Sequence, residues 1–558
     1  MDEQRIEAYL KLIFSLLQSP DGQESELLQT NRDLLDSGLL EWMEMVAANL
    51  AEKGNQNAAD WLLDFASQLA EELGISSSSA TPEEYLDLLQ ELLQAEWAID
   101  ENPQGVYQVL QQHVNKLDTQ FAQTLQEVAT ALISQQPENT KTIVFLIENI
   151  SISISNFPLG NIANNQEIAI AGYEFVLQNR EENTEEWAQT QSYLGTAYCQ
   201  RIKGDKADNI ELAIAAYTHA LQVRTPQAFP QEWAQTQNNL GNAYWDRIKG
   251  DKADNIELAI AAYTNALQVR TPEAFPQAWA MTQNNLGAAY RNRIKGDKAD
   301  NIELAIAAYT HALQVYTSEA FPQHWATTQN NLGSAYNDRI KGDTADNIEL
   351  AIAAYTNALQ LRTLEAFPQA WAQTQNNLGT AYSKRIKGDK ADNIELAIAA
   401  YTHALQVRTP QAFPQDWAMT QNNLGNAYSD RIKGDKTDNI ELAIAAYTHA
   451  LQVYTPEAFP IYCLRTSRSL GNLAFKNGNW QLAIESYEQA IKSVEQSCNW
   501  ANTDERRKEI LNQNIDVYEE MVEACIKHNQ LDKAVEYAER SRSKTIANLK
   551  TQPTFSDS

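Results

Sequence analysis

Cysteine, histidine and basic side chains are scarce in this 558-residue chain, and each shortage excludes a class of function. The four cysteines, Cys199, Cys463, Cys498 and Cys525, form no C-x-x-C pair. A chain of this length does not depend on disulfides, and a reducing cytoplasm is the expected home. Lysine plus arginine number 43 against 73 aspartate plus glutamate, a formal net charge of −30. Nucleic-acid binding needs a basic surface to displace counterions, so nucleic acid is not an expected partner. A basic helix lying on a membrane is excluded on the same ground. Long apolar runs are also missing. TIVFLI at 142–147 is stopped by Glu148, far short of the roughly 18 residues that suggest a membrane span. The opening MDEQRIEAYL is acidic where a signal peptide is basic. The expectation is a soluble, cytoplasmic protein without a membrane partner.

The acidity is uneven. Residues 1–138 carry 25 acidic and 5 basic side chains, a net of −20. This acidic N-terminal region reads as a solvated, aggregation-resistant surface, with an acidic docking surface as the alternative. Residues 1–74 and 82–136 read as amphipathic helices. GISSSSATP (74–82) between them is a flexible linker by composition.

What the chain has in quantity is repetition. Trp187, Trp233, Trp279, Trp325, Trp371 and Trp417 follow one another at 46-residue intervals, so residues 187–462 are six near-identical repeats. In the repeat 233–278, Leu240, Ala243, Tyr244 and Ile248 share one face of a predicted helix over 233–248. KGDKAD (249–254) is a polar loop. A second predicted helix over 256–270 turns Leu258, Ile260, Ala262, Tyr263 and Leu267 inward or partly inward. TPEAFPQA (271–278), with two prolines, ends it. Neither helix can bury its apolar stripe alone, so the expected fold is all-α, an α-solenoid in which antiparallel helix pairs stack into a superhelical array. Residues 139–186 read as a diverged helix pair leading into the array, because NNQEIAIAGYEFVLQ matches the second helix of each repeat. Residues 463–500 read as one more pair, and 501–558 as the last pair with a polar tail.

These residues resemble the tetratricopeptide pattern. Leu240-Gly241-x-x-Tyr244 on the first helix, with Ala259, Tyr263 and Ala266 on the second, carries the likeness. The usual repeat is about 34 residues; here the turns are longer. Leu470 to Ala483 in the following pair has the ordinary spacing of 13, against 19 from Leu240 to Ala259. The ending DKAVEYAERSRSKTIANLK (532–550) is similar to the junction where bacterial repeat proteins pass into a caspase-like CHAT peptidase domain. ANLAEKGNQNAADWLLDFASQLAEELG (48–74) is similar to leaders of cyanobacterial proteins of that kind. The peptidase domain itself, with its His and Cys, is not in this sequence. The first resemblance implies a protein-interaction scaffold. The second implies the regulatory or sensor arm of a CHAT-type peptidase system.

No constellation for catalysis stands out. The DNIE string of each repeat, as in Asp254-Asn255-Ile256-Glu257, lacks the alternating ligands and central glycine of a calcium loop and reads as a helix cap. His219, His311, His403 and His449 fall one to each of four repeats, too far apart for a compact metal set. No Cys–His pair recurs, and no phosphate-binding glycine motif occurs. The Trp series reads as packing rather than ligand stacking. No enzyme activity, no cofactor and no metal are expected.

Differences between the repeats point to a binding face. The first varying position reads Gln189, Gln235, Met281, Thr327, Gln373, Met419. The second reads Thr196, Asn242, Ala288, Ser334, Thr380, Asn426. The third reads Cys199, Trp245, Arg291, Asn337, Ser383, Ser429. The fourth reads Gln200, Asp246, Asn292, Asp338, Lys384, Asp430. Helical spacing puts all four on one face, and in tetratricopeptide arrays that face lines the concave groove. Drift at exposed sites is the competing reading, against which the loop residues Lys249, Gly250 and Asp251 barely vary. The expected partner is a protein or peptide segment. Trp245 and Arg291 are its expected anchors, and the ladder Asn238, Asn284, Asn330, Asn376, Asn422 offers amides to its backbone.

Overall fold

The computed structural model describes residues 3–18, 27–28, 31, 34–35, 37–52, 56–72, 80–98, 104–501 and 503–549. Residues 74–79 of the expected linker lie outside the described residues; Thr81 and Pro82 already open a helix, Thr81 capping it through Glu84. Among the described residues all regular structure is helical and there is no strand. The chain divides into two compact bodies, Met1–Val315 and Tyr316–Ser558, so the division falls just after the second helix of the third repeat.

The first body begins with helices Glu3–Gln18, Ser37–Glu52 and Gln56–Glu72 around a small core of Tyr9, Ile13, Leu39, Met43 and Leu62. Helices Pro82–Trp97, Gly105–Gln112, Thr119–Gln135, Thr140–Ser155 and Ile162–Gln178 share a second core built on Tyr85, Leu88, Phe121, Ile147 and Val176. Three antiparallel pairs follow: Glu185–Gln200 with Lys206–Val223, Pro230–Asp246 with Lys252–Ala266, and Pro276–Arg291 with Lys298–Ala312. The second body repeats the plan from Pro322–Asn337 with Thr344–Leu359 through to Pro460–Lys476 with Trp480–Trp500. It closes with Asp504–Gln513, Asp516–Lys527 and Leu531–Leu549. The repeated pairs in each body thus form an all-α solenoid of stacked antiparallel helices.

Local chemistry explains the pair. Each 46-residue repeat from the second onward starts its first helix at a proline such as Pro230, where a missing N–H costs nothing. The first helix stops at Asp246, so Ile248 lies beyond the helical period. It is 61% exposed rather than on the packing face expected for it. Leu258 sits on the flank of the second helix, 40% exposed. Gly250, at φ +81°, turns the chain in the left-handed region. The second helix then starts at Lys252, four residues earlier than expected. Its cap is Asp251, whose side chain accepts from the Asp254 N–H; Asp254 lies within the helix. Asn255 is buried and ties the loop down, donating to the Lys249 carbonyl at 2.9 Å. Gly241 lets the two helices close up: a Cβ there would stand 2.5 Å from the Tyr263 ring.

Repeats stack through polar ladders as well as apolar contact. Arg247 grips Glu211 of the preceding repeat through two N–H···O bonds of 2.7 and 2.8 Å, and Arg293 grips Glu257 likewise. Arg385–Glu349 and Arg431–Glu395 do the same in the second body. Lys249 pairs with Asp208 and Lys295 with Asp254. Each Arg holds its carboxylate partner well below the ordinary value of 4.5, as for Glu211 and Glu257. The near-invariance of Lys249, Gly250 and Asp251 is therefore structural. It is no measure of how freely exposed positions drift.

Candidate functional site

The predicted groove residues lie on the first helices, and internal contacts account for many of them. Asn238 is 1% exposed and accepts from the Thr282 hydroxyl of the next repeat at 3.0 Å. Asn330 accepts from Thr374 at 3.2 Å and Asn422 from Thr466 at 2.9 Å. Asn330 and Asn376 are buried; Asn284 and Asn422 are half-buried. The asparagine ladder is thus a stacking seam between repeats. At Asn238, Asn330 and Asn422 the amide oxygen is engaged in this way between repeats.

The first varying position is also explained from within. Arg224, Arg270, Arg362 and Arg408 are buried near the end of the second helix. Arg270 donates to Gln235 and to Thr282, and Arg362 to Thr327 and Thr374, both at 3.0 Å. Where that arginine is replaced by Tyr316 or Tyr454, the position 35 residues earlier is Met281 or Met419. Met419 packs against the cluster that contains Tyr454. Polar Gln or Thr goes with arginine, and methionine with tyrosine. A third position joins them: Tyr316 stacks on His324 at 4.9 Å and Tyr454 on Tyr462 at 5.0 Å. Gln235 therefore varies with its buried arginine, and Met281 varies in step with Tyr316 along the sequence. The co-variation stands in the sequence itself and was the signal that could have revealed the buried arginines.

The second varying position serves the tyrosine of the second helix. Tyr263 donates to Asn242 at 2.8 Å, Tyr355 to Ser334 at 3.1 Å and Tyr447 to Asn426 at 2.7 Å. Asn242 and Asn426 keep an exposed edge.

Two adjacent positions remain. Trp245 is half-buried: it packs on the Ile256–Tyr263 cluster, and Lys252 lies 5.4 Å from its ring centre. It is therefore partly a packing residue. Arg291 and Asn337 are half-buried, while Ser383 and Ser429 are exposed. At the neighbouring position Asp246, Asn292, Lys384 and Asp430 are exposed and Asp338 is half-buried. Desolvation raises the Asp246 pKa, opposed by the charges of Lys206 and Lys252.

No protein-family model and no curated protein matches this chain. Three solved structures resemble it as folds. The apo form of RapI aligns over 67% of this chain and 98% of its own at 11% identity, with a TM-score of 0.41. A Rap protein complexed with competence and sporulation factor aligns over 78% and 100% at 11% identity, with a TM-score of 0.35. The TPR2AB domain of yeast Sti1 in complex with pHSP90 aligns over 61% and 99% at 16% identity, with a TM-score of 0.20.

Among the described residues no three His, Cys, Asp or Glu side chains gather as a metal site. Burial pushes the Cys199 thiol up to about 11 and raises Cys463 and Cys525 as well, the opposite of an activated thiolate. The four histidines of the repeat series are exposed. Each leans on the tryptophan of its own repeat, as His311 does on Trp279 at 5.9 Å. No described helix is long and apolar enough to cross a membrane. A cleft lies at the far end of the second body. It holds about 570 Å³ between Pro460, Ile461 and Tyr462 on one side and Trp500, Arg506 and Ile510 on the other. It stood outside the sequence reading because its walls come from three separate helices.

Proposed function

We propose that the chain is a protein-interaction scaffold that reads partner segments along the first-helix face of each body. Reading is concentrated at the adjacent pairs Trp245-Asp246, Arg291-Asn292, Asn337-Asp338, Ser383-Lys384 and Ser429-Asp430. One observation carries this. Internal partners account for most of the variation at the other two positions, and these pairs still differ in size, polarity and charge from repeat to repeat. Copies that are otherwise nearly identical thus present a different pair at each step, which is what recognition of one particular segment requires. Trp245, with its ring edge accessible and a cation beside it, and Arg291 are the strongest contact types among them. The chain is read as an adaptor without catalysis.

The test replaces both residues of each pair by Ser383-Lys384, the pair already native to the fifth repeat, and compares the proteins captured from the source cell. Loss of the specific captured set with an unchanged melting curve supports the reading. An unchanged set moves the working surface elsewhere, to the exposed isoleucine edge of Ile248 and its equivalents or to the acidic N-terminal region.

A further inference from the structure

We propose that the outer face of helix Pro82–Trp97 docks a basic amphipathic helix of a partner protein. The apolar side of that helix lies on Leu86, Leu93, Trp97 and Phe145, and its Lys or Arg side chains face Glu83 and Asp87. Leu86, Leu93 and Trp97 follow at steps of seven and four, which keeps them on one row of the helix. Leu86 is 45% exposed and Trp97 73%, with Leu93 half-buried between them. The helix already spends another side on the core it shares with the four helices that follow, through Tyr85, Leu88, Leu89 and Leu92. The exposed row is thus a second apolar stripe, beyond the one its own core needs.

A neighbouring helix widens the row. Asn149 of helix Thr140–Ser155 donates to Oε1 of Glu96, the residue before Trp97, at 2.8 Å. Phe145 lies one turn before Asn149 on the same helix face and is 54% exposed. Large apolar side chains gathered in solvent at one seam mark an interaction site, where single scattered ones do not. Glu96 adds a second sign of an absent partner. It is buried, and its Oε2 has no hydrogen-bond partner among the described residues. Burial raises its pKa, against the Asn149 bond that lowers it. A cation brought to this end of the row acts on that carboxylate with little screening.

Charge decides the occupant. Helix Pro82–Trp97 carries five carboxylates and no cationic side chain. Glu84 pairs with Lys116 at 3.9 Å, and Glu91 bonds to His113 at 3.1 Å. Glu83 and Asp87 are exposed and have no cation beside them among the described residues. Helical spacing puts them along the apolar row, on the side away from helix Thr140–Ser155. Lys141, one turn before Phe145, belongs to the other side, so the partner's basic flank lies over Glu83 and Asp87. An anionic membrane surface is repelled by such a face. A second copy docked through the same face would set carboxylate against carboxylate. A helix with an apolar row flanked by Lys or Arg satisfies both the row and the acids. The row from Leu86 to Trp97 is about 16 Å long, three helical turns, the footprint of an amphipathic helix held by a few apolar anchors. The inference is independent of the first-helix face of the repeats.

The experiment uses the full chain and two fluorescent helical peptides, each about five turns long, that share one leucine row. One peptide carries Lys on both flanks of the row and the other carries Glu. The Lys peptide is expected to bind, and the Glu peptide to bind at least tenfold more weakly. Trp97→Ser and Leu86→Ser, each checked by its melting curve, should weaken the Lys peptide at least fivefold. Glu83→Gln combined with Asp87→Asn should do the same and reduce the salt dependence of binding. Asp246→Asn combined with Asp430→Asn removes the same charge from the first-helix face and should leave binding unchanged. The proposal is overturned if the Lys peptide does not bind, if the Glu peptide binds as well, or if Trp97→Ser and Leu86→Ser have no effect. It is also overturned if the Asp246 and Asp430 changes weaken binding as much as those at Glu83 and Asp87, since general charge attraction would then account for it. Self-association of the full chain that Trp97→Ser abolishes would assign the face to a second copy and overturn it as well.

Discussion

Thr327→Met and Arg362→Tyr should each destabilise the chain, and together should cost less than their sum. Arg362 is only 7% exposed, and burial lowers its pKa. Its guanidinium is held by the hydroxyls of Thr327 and Thr374. Thr327→Met removes one acceptor and leaves a buried cationic N–H unmatched, a loss of about 1–3 kcal/mol. Arg362→Tyr removes the donor instead. Thr374 keeps the Ala370 carbonyl at 2.8 Å or the Asn330 amide oxygen as acceptor for its one hydroxyl proton, so its donor is not orphaned and the cost is about 1 kcal/mol. The double variant recreates the methionine–tyrosine combination of the third and sixth repeats. It should cost no more than Arg362→Tyr alone, a coupling of about 1–2 kcal/mol. Adding Ala370→Tyr, as at Tyr462, should recover a further fraction through ring stacking. Urea unfolding of the full chain measures the three variants. Hydrogen exchange over residues 327–374 shows that the effect is local, since stacked repeats can open one at a time. Effects that add within about 0.5 kcal/mol would refute the coupling and return the first varying position to the partner-binding face.

Three further outcomes are expected. Gly241→Ala should cost about 1–3 kcal/mol by forcing a Cβ against the buried Tyr263 ring, despite a helix-propensity gain near 1 kcal/mol; a raised melting temperature would contradict the close approach. Thr282→Val should lose about 1–3 kcal/mol, because Asn238 and Arg270 both lose a buried partner, and exchange should rise in the second and third repeats together. The arginine-gripped carboxylates Glu211, Glu257, Glu349 and Glu395 have folded pKa values below the ordinary 4.5. Their contribution is present above that value and disappears as pH falls through the lower folded values. Stability should therefore drop with acid below about pH 4.5, modestly because the pairs are part-exposed, and Glu257→Gln should flatten that slope in a pH series of urea midpoints.

The sequence by itself determined the architecture. Six copies of one 46-residue string, each with two apolar stripes that one helix pair cannot bury alone, have no simple solution but stacked pairs. The Leu-Gly-x-x-Tyr spacing named the packing type. The Phe-Pro and Lys-Gly-Asp strings punctuated it. Only tertiary structure decided what each varying residue is for. Asn238 and Trp245 lie on the same helix face, and periodicity cannot tell that one is sealed by Thr282, 44 residues away, while the other keeps an open edge. Ile248 fits the helical period, yet the helix ends two residues before it and leaves it in solvent. Lys249 looks like an idle loop residue until the preceding repeat brings Asp208 against it. Burial and partnership are properties of a stack. They depend on residues a full repeat apart in the chain, a distance over which helical periodicity carries no information.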